Sequence, residues 1–399
     1  MMRINLKRFG VYYIVVALFV AIVFSYRNAR WVMGAYGTVY KRANTSSSIY
    51  IFLLYSALIV TVLLSLSQIR KSKGSFLFFF ALLETVGFYF IRSFLEDGAY
   101  KAITNPTTPL VYILVLAVYI GMQDDLWTVV NGILPWMIGC LCALLFYEYI
   151  MLFASYGVVV IGNSPLIYYY VDLFWCVTVY LTSKILNGVK LSWKHIFLLM
   201  MLIVMAVIIN SRSWIIQSCF VLISLYLFAP SDRKISEKIQ RLFVIAVLTW
   251  IAWEILNTYF LGNLMNLYNK IGHDSRSHQY REIMNASTPL GWIFGNGALA
   301  TYMDSVQGEI TSIDNQFLYI AFHYGVILTA IWLILQLKMC FAVHKTVSLI
   351  AIVPVVSWFM ALGGLSVFNV VYCDLKQVVV MLYVGHVLSL CKARELSMQ

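Results

Sequence analysis

The residues best suited to chemistry gather in one stretch. Positions 263–313 hold Lys270, His273, Asp274, Arg276, His278, Arg281, Glu282, Asp304 and Glu309. His273 and Arg276 are three residues apart, as are His278 and Arg281, so a helix over 273–286 puts each pair on one face. Guanidinium groups grip phosphate oxygens through a planar fork, and a histidine or carboxylate within reach can take a hydroxyl proton. The plainer reading is a solvated amphipathic helix on a membrane surface. The arginines favour function, because they fall on the outer side of the predicted topology, against the usual charge bias.

Further positions flank this stretch. In Pro289-Leu290-Gly291-Trp292-Ile293-Phe294-Gly295-Asn296-Gly297, Gly291, Gly295 and Gly297 permit tight turning and close backbone approach, and amides in such a turn can hold an anion. Turns of this composition are also common without a ligand. Asp314 and Asn315 open the next apolar run, where they serve either as a helix cap or as groups acting on a substrate at the surface. His323 is nine residues beyond Asp314, on the opposite helical face at about 100° per residue, and reads as a hydrogen-bonded structural histidine. Arg212, in Asn210-Ser211-Arg212-Ser213-Trp214, stands at the mouth of an apolar helix. There an arginine snorkels, pairs, or meets an anion, and Arg92 has the same choices. Glu84, Glu148, Asp172 and Glu254 lie inside apolar runs, as ion-pair partners or a proton path.

The elements that must position these groups are membrane spans. Of 399 residues 62% are hydrophobic and 11% charged, with a mean hydropathy of +0.83, whereas a soluble domain carries roughly 25% charged residues. Soluble, fibrous and disordered classes are excluded, leaving a polytopic, all-α membrane bundle as one domain over 1–399. Twelve segments qualify as spans: 9–25, 49–69, 75–95, 108–122, 127–152, 165–183, 195–210, 213–229, 241–262, 314–337, 346–367 and 375–391. The fourth is short and the sixth contains Asp172. The first reads as a retained helix rather than a cleaved signal, since no small-residue cleavage site follows it. Alternate connections carry 17 Lys and Arg on the face of the N-terminus against 11 on the other, which predicts both termini in the cytoplasm and 263–313 as one large extracytoplasmic loop. The net charge of +11 is thus largely topological. Its cytoplasmic part favours anionic membrane lipids, and no basic extramembrane domain suggests nucleic acid. Six of the seven cysteines sit in or beside apolar runs without metal-ligand spacing and read as small hydrophobes.

The order of features is more specific than any one of them. A many-span chain with Ser211-Arg212 opening a helix, a large outer loop, the Pro289–Gly297 turn, and Asp314-Asn315 leading into an apolar helix with Gly325 resembles the O-antigen polymerase and O-antigen ligase superfamily. These are bacterial polysaccharide-assembly membrane proteins. The motifs cover about 205–330; the N-terminal half matches in span number alone. The resemblance implies a GT-C-like fold of about twelve helices in the bacterial cytoplasmic (inner) membrane. It implies transfer of a glycan from undecaprenyl diphosphate to a sugar hydroxyl of a lipid-linked repeat unit. Arg212, Arg276 and Arg281, with Arg92 as a weaker fourth, would bind the diphosphate leaving group. Asp314, or second His278, would act as base. No cofactor and no metal are expected, and a chain-length regulator is a further partner. Ligases usually place a histidine where this chain has Asp314, so the polymerase branch is preferred. The alternatives are a ligase acting on lipid A core or protein and, from another class, a secondary transporter or glycan flippase using the intramembrane carboxylates. A structural scaffold leaves the outer arginines unexplained.

Overall fold

A computed structural model describes residues 6–27, 31–33, 39–41, 48–104, 108–157, 165–209, 211–228, isolated positions between 239 and 254, 276–304, 308–311, 313, 315–365 and 374–398. The chain begins with α1 (Leu6–Arg27), a small hairpin of β1 (Trp31–Met33) and β2 (Val39–Lys41), α2 (Ser48–Ile69), α3 (Lys73–Asp97) and α4 (Ala99–Thr104). A 3₁₀ helix (Pro109–Leu116) runs into α5 (Ala117–Gly121), followed by α6 (Asp124–Tyr156), α7 (Pro165–Leu186), α8 (Trp193–Ile208) and α9 (Arg212–Phe228). Next come α10 (Arg276–Ala286), α11 (Pro289–Phe294), a hairpin of β3 (Tyr302–Asp304) and β4 (Gly308–Ile310), and α12 (Gln316–Thr346). A 3₁₀ turn (Leu349–Ile352), α13 (Val353–Met360), a π-helical turn (Ala361–Leu365) and α14 (Asp374–Met398) complete it.

The protein is therefore an all-α membrane bundle with two short hairpins. Among the described residues, seven helices are long and apolar enough to cross a membrane, and α8, most of α9 and the 349–363 segment are shorter apolar helices. Helices occupy eleven of the predicted span positions; the ninth, 241–262, lies almost wholly outside the described residues. The short fourth span has a physical resolution. A 3₁₀ helix rises about 2.0 Å per residue, so Pro109–Gly121 reaches roughly 23 Å, most of a hydrocarbon core of about 30 Å.

The centre of the bundle is α14. Every residue from Leu375 to Leu388 is buried, the polar Lys376, Gln377 and His386 included. It meets α5 backbone to backbone: a Cβ on Gly385 would lie 1.9 Å from the Val118 carbonyl oxygen, and one on Gly121 1.9 Å from that of Leu382. Small residues at a crossing permit this approach, and buried polar side chains hold neighbouring helices together. Ser357 donates to Gln217 Oε1 (2.9 Å), the Trp358 indole to Gln336 Oε1 (2.8 Å), and the Tyr383 hydroxyl to the Ala351 carbonyl (2.8 Å). The described cysteines are free, but Cys140 is exposed rather than buried. It faces outward on α6, where an apolar environment is lipid instead of core.

Two contacts fix which helix ends lie together. Ser67 Oγ reaches Gln123 Oε1 (3.5 Å) and Ser389 Oγ reaches Asp124 Oδ1 (3.4 Å). The end of α2, the start of α6 and the last third of α14 therefore share one face. Following the chain through its short turns, the ends of α3, α6 and α8 and the start of α9 lie on the opposite face. Contacts described below bring the start of α12 and the end of α13 to that second face, the site face.

Candidate functional site

The glycine-rich stretch is a short helix, not an open turn. Thr288 caps α11 by accepting from the Gly291 amide (3.1 Å), Pro289 fills a first-turn position where no amide is needed, and Gly295 ends the helix at φ +73°. Beyond it the chain inserts into a break in α12. Gly325 has φ +78° and ψ +162° inside that helix, a conformation essentially confined to glycine. The break frees the carbonyls of the turn before it, and the loop satisfies two. The Asn296 amide donates to Phe322 O (2.8 Å), the Gly297 amide to His323 O (3.1 Å), and Asn296 Nδ2 to Phe322 O again (2.8 Å). The approach admits no side chain, since a Cβ on Gly295 would sit 2.4 Å from His323 O and one on Gly325 2.1 Å from Ile293 O. Of the amides in this stretch, those of Asn296 and Gly297 are thus engaged by carbonyls and that of Gly291 by the Thr288 hydroxyl. Gly291 is equally confined, by Asn296 Oδ1 at 2.3 Å and Ser287 Oγ at 2.6 Å from a Cβ placed there.

Arg92 reaches this loop from the end of α3. Its Nε donates to Glu96 Oε1 (2.8 Å), and Nη1 donates to Phe294 O (3.2 Å) and Gly295 O (3.0 Å). These are the carbonyls left open at the end of α11. Arg92 is therefore a strut between α3 and the loop, with Nη2 as its remaining nitrogen. Glu96 was not foreseen as its partner, although a spacing of four on a helix is the usual signal.

His323 is buried, with Nδ1 2.9 Å from Gly297 O and Nε2 3.2 Å from Thr311 O. Both neighbours are acceptors, and the ring ties the α12 break to the strand leaving β4. This agrees with its reading as a structural histidine. On α10, Gln279 donates to the Tyr302 hydroxyl (2.7 Å) and Ile283 is fully buried, so the helix packs on β3. Arg281 is exposed. Positions 276 and 281 are five apart, about 140° around the helix, so they fall on different faces of α10.

Asn315 caps α12. Its Oδ1 accepts from the Leu318 amide (3.2 Å), while Nδ2 donates to Gly363 O (3.1 Å) in the π-helical turn after α13. That bond relates Asn315 to the start of α9 by a short route. Ser357 and Gln217 are hydrogen-bonded across α13 and α9. From them, Gly363 and Arg212 lie roughly 8–9 Å and 7.5 Å along their helices toward the site face. The backbone thus brings the start of α9, the end of α13 and the start of α12 to one level. The side chains of Arg212, Arg276 and His278, and the whole of Asp314, lie outside the described residues.

Of the carboxylates within apolar runs, Glu148 and Asp172 are buried and Glu84 and Glu254 exposed. The charge pair that Arg92 makes is with Glu96. Comparison with family models, curated proteins and solved structures finds no match to this chain.

Proposed function

We propose that this chain is a membrane glycosyltransferase that polymerises undecaprenyl-diphosphate-linked repeat units into an O-antigen or capsular polysaccharide. On this reading it has twelve spans and a GT-C-like arrangement, lies in a bacterial cytoplasmic membrane with both termini in the cytoplasm, and works at the outer face. The observation that supports the reading is the shared level of the start of α9, which Arg212 opens, and the start of α12, where Asn315 bonds Gly363. Cationic and polar groups from distant parts of the sequence converge at one end of an apolar bundle.

The chemistry follows from charge. The acceptor sugar hydroxyl attacks the anomeric carbon of the growing glycan, the bond from that carbon to the diphosphate oxygen breaks, and undecaprenyl diphosphate leaves with the electron pair. Negative charge grows on the leaving oxygen, and fixed guanidinium groups in a low-dielectric mouth stabilise it. Arg212, Arg276 and Arg281 take this role, each contributing up to about 3–4 kcal/mol by analogy with oxyanion donors. Asp314 accepts the hydroxyl proton, with His278 as second choice. Arg92 is reassigned from diphosphate binding to holding the glycine loop, because its fork already serves Glu96 and two carbonyls.

The test is the glycan profile of a deletion strain complemented with Arg212→Ala, Arg281→Ala or Asp314→Asn at normal protein level. Loss of long polysaccharide with accumulation of single lipid-linked repeats is expected. Accumulation of long lipid-linked chains would indicate a ligase instead. Full-length polymer from Arg212→Ala and Arg281→Ala would refute the assignment.

A further inference from the structure

We infer that two copies of this chain pair in the membrane through the outward face of α3, with Glu84 of one copy against Glu84 of the other. Glu84 is a carboxyl that the proposed function leaves without a role. It is exposed, and no described residue pairs with it. It stands eleven residues from Lys73 and eight from Arg92, about 17 and 12 Å along the helix. The carboxyl therefore faces hydrocarbon near its centre, where such groups are rare and almost always meet a partner.

The face around Glu84 suits another helix. Of the seven described helices long and apolar enough to span, α3 has the smallest buried share. Leu77, Phe80, Glu84, Gly87, Ile91 and Phe94 recur at alternating steps of three and four, the seam of a left-handed helix pair. Five of them are exposed, and at Gly87 a Cβ would meet nothing within 4 Å. Lipid alone asks only for apolar side chains on such a face. A glycine three residues from a carboxyl, both in the seam, is what a close helix crossing held by a polar contact requires. The seam also selects its occupant. Two copies inserted alike carry α3 in the same direction, with position 84 at one depth in both, so a twofold axis beside α3 sets Glu84 opposite itself. A neutral carboxyl offers one donor and an acceptor, and two of them close a mutual pair in which each hydroxyl donates to the other's carbonyl oxygen. Gly87 meets Gly87 beside that pair and lets the backbones approach. A single polar residue in an apolar seam also fixes register and the number of helices. The pairing stands apart from the polymerase reading.

The experiment places the full chain, fluorescently labelled, in liposomes over a range of lipid-to-protein ratios and counts copies by single-molecule photobleaching. A monomer–dimer equilibrium is expected. Glu84→Leu and Gly87→Leu should each weaken it by about tenfold. Glu84→Gln, whose amide again offers donor and acceptor, should keep it. Cysteine crosslinking reads the same contact without altering either residue, and supplies the measurement if those variants fail to fold. On oxidation, Leu77→Cys and Ile91→Cys should each give a crosslinked dimer above the wild-type background. Leu63→Cys, on the exposed side of α2, should not. The proposal is overturned by a monomer at every ratio, or by a dimer indifferent to Glu84→Leu and Gly87→Leu. It is equally overturned if Glu84→Gln loses pairing as Glu84→Leu does, or if Leu63→Cys crosslinks as well as the seam positions. Crosslinks from Leu77→Cys and Ile91→Cys to a different protein, or to another part of the same chain, would overturn it too.

Discussion

Replacing Gly325 by alanine tests whether the glycine loop is held by the break in α12. At φ +78° and ψ +162° an L-residue costs about 1–3 kcal/mol in backbone strain. The new Cβ would lie 2.1 Å from Ile293 O and 3.0 Å from the Gly295 amide nitrogen. Both are backbone atoms, so relief requires the loop to withdraw or α12 to straighten. Either movement breaks the bonds from Asn296 and Gly297 to the Phe322 and His323 carbonyls. Three such bonds are worth about 0.5–1.5 kcal/mol each. A local loss of about 3 kcal/mol is therefore a conservative expectation, and it need not unfold the bundle. Hydrogen exchange at the Asn296 and Gly297 amides should accelerate on the order of a hundredfold. Gly87→Ala is the internal control. Gly87 lies within α3, and a Cβ there would meet nothing within 4 Å, so alanine should stabilise the helix by about 0.5–1 kcal/mol. If the two variants leave protection at Asn296 and Gly297 equally unchanged, the docking argument fails.

Two further outcomes follow from the same contacts. Arg92→Met removes a charged donor from the Phe294 and Gly295 carbonyls, worth about 1.5–3 kcal/mol, and should raise exchange in 294–297 about tenfold or more. Glu96→Gln should do less, since the Arg92–Glu96 pair is partly exposed and such pairs contribute about 0–1 kcal/mol. Gly385→Ala should lower the thermal unfolding midpoint in detergent, because its Cβ would enter the Val118 carbonyl at the centre of the bundle. Gly139→Ala on α6, with open space around it, should leave the midpoint no lower and, like Gly87→Ala, slightly higher.

The apolar helices of the bundle were legible because hydropathy alone marks them, and even the short fourth one carried a hint of its 3₁₀ geometry in its length. The break in α12 was not. The predicted span 314–337 reads as one largely apolar run through His323-Tyr324-Gly325, and composition does not report a positive φ. The Pro289–Gly297 stretch was recognisable as a tight, glycine-dependent segment, but its partner lay some thirty residues away across the loop. Nothing local linked Gly295 to Gly325, or Arg92 to carbonyls some two hundred residues on. Pairings between backbone groups leave no trace in side-chain type, so the carbonyl partners of the Asn296 and Gly297 amides could not be read from the sequence. Side-chain caps do leave a trace, and Asn315 was readable as a cap from its place ahead of an apolar run.

The break also changes where the polar pair sits. By length and composition the whole of Gln316–Val343 counts as one span. Divided at Gly325, the part from 326 to 346 alone is about 31 Å long, and α3 from Lys73 to Arg92 is about 30 Å, each matching the hydrocarbon thickness. The two end at one level, where Arg92 meets Gly295 and Gly295 packs against the helix break. The segment from Gln316 to Tyr324 then lies beyond the hydrocarbon, and its cap Asn315 reaches Gly363 at the end of α13. Asn315 is in that case not at the head of a buried span but caps a short helix folded over the end of the bundle. A diphosphate and a sugar hydroxyl are both interfacial groups, since neither enters hydrocarbon unpaired without a large desolvation cost. On the proposed function, a polar cap raised to that level, near the start of the helix that Arg212 opens, is where a lipid-linked acceptor and a departing diphosphate would meet while their tails stay in the membrane.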